Sequence, residues 1–411
     1  MFDNSLRLAK DHGGLLAAGF FLFFFSVFGQ SAFFGVYLPF IQEELDLTKT
    51  GVGSIYAMAT IASAIVITFS GKALDYMPLR IFLAIVLLGV AVGCFTLAFA
   101  VNVVILFIAF FLLRQFGQGL MVLSATTSVN RYLDKNRGKA QALISLGGPA
   151  HLMTFPLLAL ALEDYIEWRH AWIMYGLFVL FVLLPVMWFY MRNHQRNTHD
   201  LWEKRVKAEE ENAVDAVTDH WTRKNVLMNW KFYALSLITM VSPFIGTVVV
   251  FYQRDIADAI GISPLAFAAT FPLFSFSTIF ASLIAGHVID KYGEVAILTA
   301  FPFVYTAGLL VLSSGISLPV VYIGMALIGA GNGMISTAGG PLLAFLYGTK
   351  HLGAIKSLLF SMAILSSALS PFMFGYFMDH GVGILTIFSW AAYFTAPLFI
   401  LGPFICRKKV V

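Results

Sequence analysis

Charge is scarce in this sequence. Only 12% of its 411 residues are Asp, Glu, Lys or Arg, against roughly 25% in an average soluble domain. That shortage excludes an ordinary soluble fold. Cysteine is also scarce: Cys94 and Cys406 are the only two. They fall in separate apolar segments, so no disulfide framework is expected. A phosphate-cradling glycine loop, a metal-ligand cluster and a nucleophile–histidine–acid pattern are all missing. The residues therefore point to neither an enzyme nor a cofactor, and nothing in them points to nucleic acid. Polar sequence long enough for a large soluble domain is absent as well.

What is abundant is apolar sequence in long blocks. Hydrophobic residues make up 59% of the chain, and the mean hydropathy is +0.83. Stretches of about 20 apolar residues cross a bilayer, and twelve are readable: 14–41, 51–70, 80–100, 103–125, 141–162, 170–191, 232–252, 265–286, 294–314, 319–341, 355–377 and 383–406. The first is too long for a signal-peptide core and lacks a cleavage site, so it is expected to stay as a spanning helix. With Arg114 set aside, three of the 26 Lys and Arg residues (Lys49, Arg169, Arg254) fall on one side of these spans and the rest on the other. By the positive-inside rule both termini are then cytoplasmic. Trp168, Trp172, Trp188 and Trp230 sit near segment ends, as in an interfacial belt.

The expected fold is an all-α membrane protein of twelve transmembrane helices. Six helices (1–192) are joined by a polar, mixed-charge cytoplasmic linker (193–231) to six more (232–411). The halves repeat. Gly71-Lys-Ala-Leu-Asp75 returns 215 residues later as Gly286-His-Val-Ile-Asp290, placed after the second and eighth segments. Gly138 and Gly353, opening the fifth and eleventh, are also 215 apart, and Gly117-Gln-Gly119 has Gly331-Asn-Gly333 at 214. Three coincidences at nearly one offset indicate duplication, an architecture of transporters.

At these residues the chain resembles the major facilitator superfamily. The family's short loop signature is matched at Gly71 and Asp75 and again at Gly286, Asp290 and Gly293; in the first copy Met77 and Pro78 replace the usual basic-glycine step. The resemblance covers essentially the whole chain. It implies two pseudo-symmetric six-helix bundles and alternating access. It also implies a conformational gate at the signature loops, a cavity lined by the first, fourth, seventh and tenth helices, and a monomer. Arg114-Gln-Phe-Gly-Gln-Gly119, the run Asn130 to Gly138, and Glu167-Trp-Arg-His-Ala-Trp172 are similar to the bacterial monocarboxylate-porter-like branch. Ser26-Val-Phe-Gly-Gln30 is similar to a branch that includes copper importers. Neither matches fully. Segment 265–286 lacks the charge that monocarboxylate porters carry there, and no His-x-x-x-Met occurs near the seventh and eighth segments, where the copper importers carry it.

Within the membrane, Arg114 is the only permanent charge. A charge at mid-bilayer costs about 2.5–3.5 kcal/mol on insertion scales, and no embedded Asp or Glu answers it. Two readings stand. Helix-end carbonyls and neutral side chains satisfy Arg114, or a substrate carboxylate completes it through the two-donor guanidinium fork. Gln118, one turn on, and Gln30 and Asn332 are candidate orienting amides, with simple interhelical hydrogen bonding as the alternative. His151 follows Gly147-Gly148-Pro149, a step expected to bend its helix; it is the candidate proton-coupling group or a neutral interhelical hydrogen bonder. Met121, Met153, Met240, Met334 and Met362 could line the cavity and would suit copper(I), but methionine is also ordinary packing. The expected function is transport of a small organic anion of carboxylate type, coupled to protons, across a bacterial inner membrane. The expected partners are the small-molecule substrate, protons and membrane lipid. The alternatives are an importer of copper or a metal chelate (siderophore) with the same fold, and a transport-inactive sensor or receptor on a transporter scaffold.

Overall fold

The computed structural model describes residues 2–71, 73–132, 137–191, 221, 223–348 and 352–406. The proposed linker 193–231 lies largely outside these residues. Among them all regular structure is helical, with twelve helices long and apolar enough to cross a membrane. We label them α1 (Gly13–Glu44), α2 (Lys49–Ser70), α3 (Leu79–Ala98), α4 (Val103–Val129), α5 (Gly138–Leu162) and α6 (Trp168–Tyr190), then α7 (Trp230–Phe251), α8 (Pro264–Tyr292), α9 (Glu294–Ser314), α10 (Leu318–Tyr347), α11 (Ile355–Asp379) and α12 (Ile384–Ile405). A bilayer interior offers no water to backbone groups, so helices that satisfy their own amides are the favoured solution. Helix starts are capped where the sequence permits: the Asn102 side chain accepts from Val104 N (3.1 Å) and Ile105 N (3.0 Å) to open α4.

Two segments end six residues later than the hydropathy implies. α8 continues past 286 to Tyr292, and α10 past 341 to Tyr347. Gly286 and Asp290 therefore lie inside the last turns of α8, not in a loop after it. Nothing breaks the helix until Gly293, whose φ of +79° and ψ of 173° favour glycine, and α9 begins at the next residue. The first copy behaves differently. Gly71 ends α2 in a turn, residues Ala73–Tyr76 form a separate helical turn, and Pro78 caps α3.

Several spans are interrupted. In α1, Ser26–Gly29 is a 3-10 turn and Gln30 is extended (φ −90°, ψ 145°) before helix resumes at Ser31. In α4, Leu113–Leu120 is a π-helical turn. In α5, Leu146 is a turn between two helical pieces; Pro149, four residues on from Ser145, has no N–H to give that residue's carbonyl. The expected bend at the Gly-Gly-Pro step is thus a local interruption just before it.

The chain forms two compact units. The first comprises Met1–Phe34, Met58–His151 and Leu162–Thr218; the second comprises Gly35–Ala57, Leu152–Ala161 and Asp219–Val411. The first is centred on α3, where Val86, Leu87 and Val90 are fully buried. An aromatic cluster joins α1, α4 and α6: Phe33 lies 5.4 Å from Trp172, and Phe34 lies 4.8 Å from Phe110. In the second unit α8 and α10 approach at backbone distance through Gly329 and Gly333. A Cβ at either would strike the Phe274 or Thr278 carbonyl. Small residues four apart permit such packing in a membrane.

Candidate functional site

In the first unit the break in α1 meets the π turn of α4. The contact is backbone on backbone: a Cβ at Gly29 would collide with the Leu113 carbonyl oxygen and the Gln118 amide nitrogen, and one at Gly117 would lie 2.9 Å from the Gly29 nitrogen. The 3-10 turn is held locally, Ser26 Oγ donating to Phe23 O (2.7 Å) and Gln30 N to Val27 O (2.9 Å). Gln30 also reaches back, its Nε2 3.4 Å from Ser26 Oγ. Arg114 sits in the π turn at 4% exposure, and its guanidinium Nη1 donates to the Gly29 carbonyl (3.3 Å). An interrupted helix leaves carbonyls without intrahelical donors, and the guanidinium serves one of them. Gln118 is half-buried in the same π turn. π turns are rare and occur often at functional sites.

The neighbouring Gln115 was not singled out by the sequence. It is 2% exposed and ties α4 to α2 at two points, accepting from Ser63 Oγ (3.0 Å) and donating to Ser70 Oγ (2.8 Å). The signal was present: two serines seven residues apart share one face of α2.

His151 is 8% exposed, with Nδ1 3.3 Å from the Phe23 carbonyl that also accepts from Ser26. It therefore sits beside the α1 break. Gly147, four residues earlier, packs on the α1 backbone at Phe20 and Phe24.

In the second unit Asn332 is half-buried, and its Oδ1 accepts from Ser242 Oγ of α7. Tyr305 of α9 donates to the Ser242 carbonyl (3.4 Å). α10 runs through this region as unbroken α-helix. The repeat thus pairs a π turn bearing Arg114 with a regular helix bearing Ile328 or Gly329.

The second unit also contains a polar clasp where the 45–48 loop, residues 252–258 and the end of α11 meet. Asp379 accepts from Lys49 N (3.2 Å), Thr50 N (2.7 Å) and Thr50 Oγ1 (2.5 Å). Those amides open α2, so a carboxylate of α11 caps a helix 329 residues away. Lys49 forms an ion pair with Asp255. The Tyr252 hydroxyl donates to Pro371 O (2.8 Å); burial, with Asp379 adding to it, raises the phenol above its ordinary pKa and keeps it neutral. Arg254 Nε donates to the Val36 carbonyl (2.8 Å), and its guanidinium lies 5.0 Å from the Phe40 ring. Burial lowers its pKa, against the pull of Asp258. Close approach is again glycine-dependent: a Cβ at Gly375 would lie 2.5 Å from Lys49 O, and one at Gly53 2.7 Å from Pro371 O. Lys49, Arg254 and Arg169, the three cations set apart by the charge count, are all committed at helix ends; Arg169 donates to the Ala98 and Ala100 carbonyls after α3.

Of the predicted positions, Arg114, Gln118, Gln30 and His151 fall in one unit around the α1 break, and Asn332 in the other. Gly286 is half-buried and Asp290 exposed. Gly71 lies at the end of α2, and the side chain of Asp75 is outside the described residues. Among the described residues no cluster of three His, Cys, Asp or Glu side chains could hold a metal.

A family model described as the Major Facilitator Superfamily matches residues 19–256 and 235–408. No curated protein sequence matches the chain. Among solved structures it is similar to a D-xylose-proton symporter (13% identity, TM-score 0.72, 97% of each chain covered). It is similar also to the nucleoside transporter NupG (12% identity, TM-score 0.70, covering 96% of this chain and 100% of that one). A third is an inward-facing, occupied bacterial homolog of the human lysosomal transporter Spinster (13% identity, TM-score 0.66, covering 97% and 96%).

Proposed function

The chain belongs to the Major Facilitator Superfamily, and from that premise we propose that it is a secondary transporter of a small organic anion, driven by protons and recognised through Arg114. That it is a transporter and not an enzyme follows from the family. The anion reading rests on one observation. Every other Lys, Arg, Asp or Glu in the described spans lies within two residues of a span end, whereas Arg114 lies deep inside α4. Such a charge is retained in membranes where it serves a pathway or finds a partner. It stands at a break in α1 and a π turn in α4, and interrupted spanning helices are characteristic of transporter binding sites.

The Gly29 carbonyl is a neutral acceptor for the guanidinium, at 3.3 Å. A carboxylate offers two charged oxygens in the geometry of the fork and is the stronger acceptor. Exchange of one for the other would free Gly29 and let the α1 break rearrange with substrate. Gln118 and Gln30, and Asn332 held by Ser242, are the proposed orienting amides, and Gly71, Asp75, Gly286 and Asp290 the proposed gate. The proposed membrane is the bacterial inner membrane, with both termini cytoplasmic.

Uptake into proteoliposomes tests this, with a panel of carboxylates against neutral sugars and nucleosides. A carboxylate should be taken up, and Arg114→Lys should weaken its affinity ~10-fold or more by losing the fork. Unchanged affinity in Arg114→Lys and Arg114→Ala, both folded, would sink the anion reading. His151→Ala should abolish proton-driven accumulation while downhill exchange continues; persistent uphill uptake would remove His151 from proton coupling.

A further inference from the structure

The second unit contains a cavity of about 380 Å³ between α7, α11 and α12. Its lining carries no charged residue: α7 contributes Val241 and Phe244, α11 Phe374, and α12 Ala391. The two hydroxyls on it are already engaged, Ser366 Oγ donating to Met240 O (3.0 Å) and Thr395 Oγ1 to Ala391 O (2.7 Å). Beyond the Trp390 indole at the rim, the lining offers a polar solute no donor that is not already engaged.

The space has a structural cause. α12 is interrupted by the 3-10 turn Ala396–Ile400, with Pro397 at its start. From that turn onward α12 is tight on α9: the Phe303 and Phe399 rings are 4.5 Å apart, and a Cβ at Gly402 would lie 3.0 Å from Thr299 Oγ1. Before it, α12 is braced on α11 by the ring pairs Phe374–Phe388 (5.6 Å) and Phe377–Trp390 (5.7 Å). The void is left on the α7 side.

We infer that this crevice is a binding site for one acyl tail of a membrane lipid. Three observations select that occupant. The rim residues Met373, Trp390 and Phe394 are 41%, 46% and 56% exposed, and they continue into the exposed apolar face of the same spans at Leu369, Tyr393 and Ile400. In a multi-pass membrane protein that face is the lipid interface, so tails are already at the mouth. The lining residues of α11 run from Ser366 to Phe377; eleven steps at about 1.5 Å give roughly 16 Å, about half of a ~30 Å hydrocarbon core. That is the reach of one leaflet and too short for a partner's spanning helix. An empty space of this size would also forfeit dispersion contacts along its lining, which a hydrocarbon tail restores without needing a hydrogen bond.

The test is photolabelling in nanodiscs of phosphatidylcholine carrying a diazirine in its acyl tail, followed by peptide mapping. Label should concentrate on residues 237–245, 366–377 and 387–395. Ala391→Trp and Val241→Phe, which fill the space from two walls and remove the contacts a tail would use, should each cut it ~5-fold or more. Labelling of the exposed α3 face at Ile81, Ile85 and Val92 should not change. An even spread over these segments and α3, or full labelling in both filled variants, overturns the inference. Selective loss of crevice label on adding a transported solute also overturns it, by assigning the space to that solute. Should neither variant fold, the wild-type distribution decides between the two outcomes.

Discussion

Removal of the Asp379 carboxylate should loosen the start of α2 and little else. The first turn of a helix has amide donors with no intrahelical acceptor. Here Thr48 Oγ1 takes Gly51 N (3.0 Å), and Asp379 takes Lys49 N and Thr50 N (3.2 and 2.7 Å). Loss of a side-chain cap typically costs about 1 kcal/mol. An acidic group near a helix N-terminus adds roughly 0.3–1 kcal/mol. Asp379 is exposed, so water replaces part of what is lost, and the lower end of these ranges applies. Asp379→Ala is therefore worth about 1 kcal/mol, an approximately 5-fold change in the local opening equilibrium. Asp379→Asn keeps an oxygen acceptor and loses the charge, so about 2-fold is expected. Residue-resolved hydrogen exchange at Lys49 and Thr50 reads this directly, with Gly51, held by Thr48, as the internal comparison. Unchanged exchange at Lys49 and Thr50 in Asp379→Ala, or an equal loss in both variants, would refute the trans-cap.

Two further substitutions probe the α1–α4 junction. Gly29→Ala places a methyl against the Leu113 carbonyl and the Gln118 nitrogen, and overpacking of this kind costs about 1–3 kcal/mol. The fraction of protein surviving a heat challenge in detergent should fall in Gly29→Ala and not in Gly148→Ala, where a Cβ meets nothing within 4 Å; equal survival would contradict the close approach. Gln115→Leu removes both the acceptor for Ser63 and the donor to Ser70. It should cost about 1–3 kcal/mol, read as a lowered midpoint of heat inactivation; an unchanged midpoint would mean that the α2–α4 tie carries no stability.

Much of the fold was legible because membrane spans are written in composition. Runs such as 80–100 and 294–314 have no competing interpretation as soluble helices, and the structure places α3 and α9 on them. Ends were legible only where a residue type stops a helix. α8 overran the expected end because His287, Asp290 and Lys291 lower hydropathy without breaking a helix, whereas Gly293 breaks it by conformation. Arg114 was visible as an anomaly from its charge alone. Its partner was not, because a backbone carbonyl leaves no mark in a side-chain pattern. The break at Gln30 and the π turn at Leu113–Leu120 were likewise hidden. Neither has a proline or a turn motif of its own, and each is held by packing through Gly29 and Gly117.

By itself, then, the sequence determined what local composition can determine: twelve spans, a repeated half, a family signature and one charge deep in a span. Only the tertiary structure decided what depends on residues far apart in the chain. It set the Arg114 guanidinium on the Gly29 carbonyl, Gln115 between Ser63 and Ser70, and Asp379 on the amides that open α2. The physical reason is that burial of a helix is set by its own side chains, whereas the acceptor for a particular donor is set by which backbone the fold brings alongside.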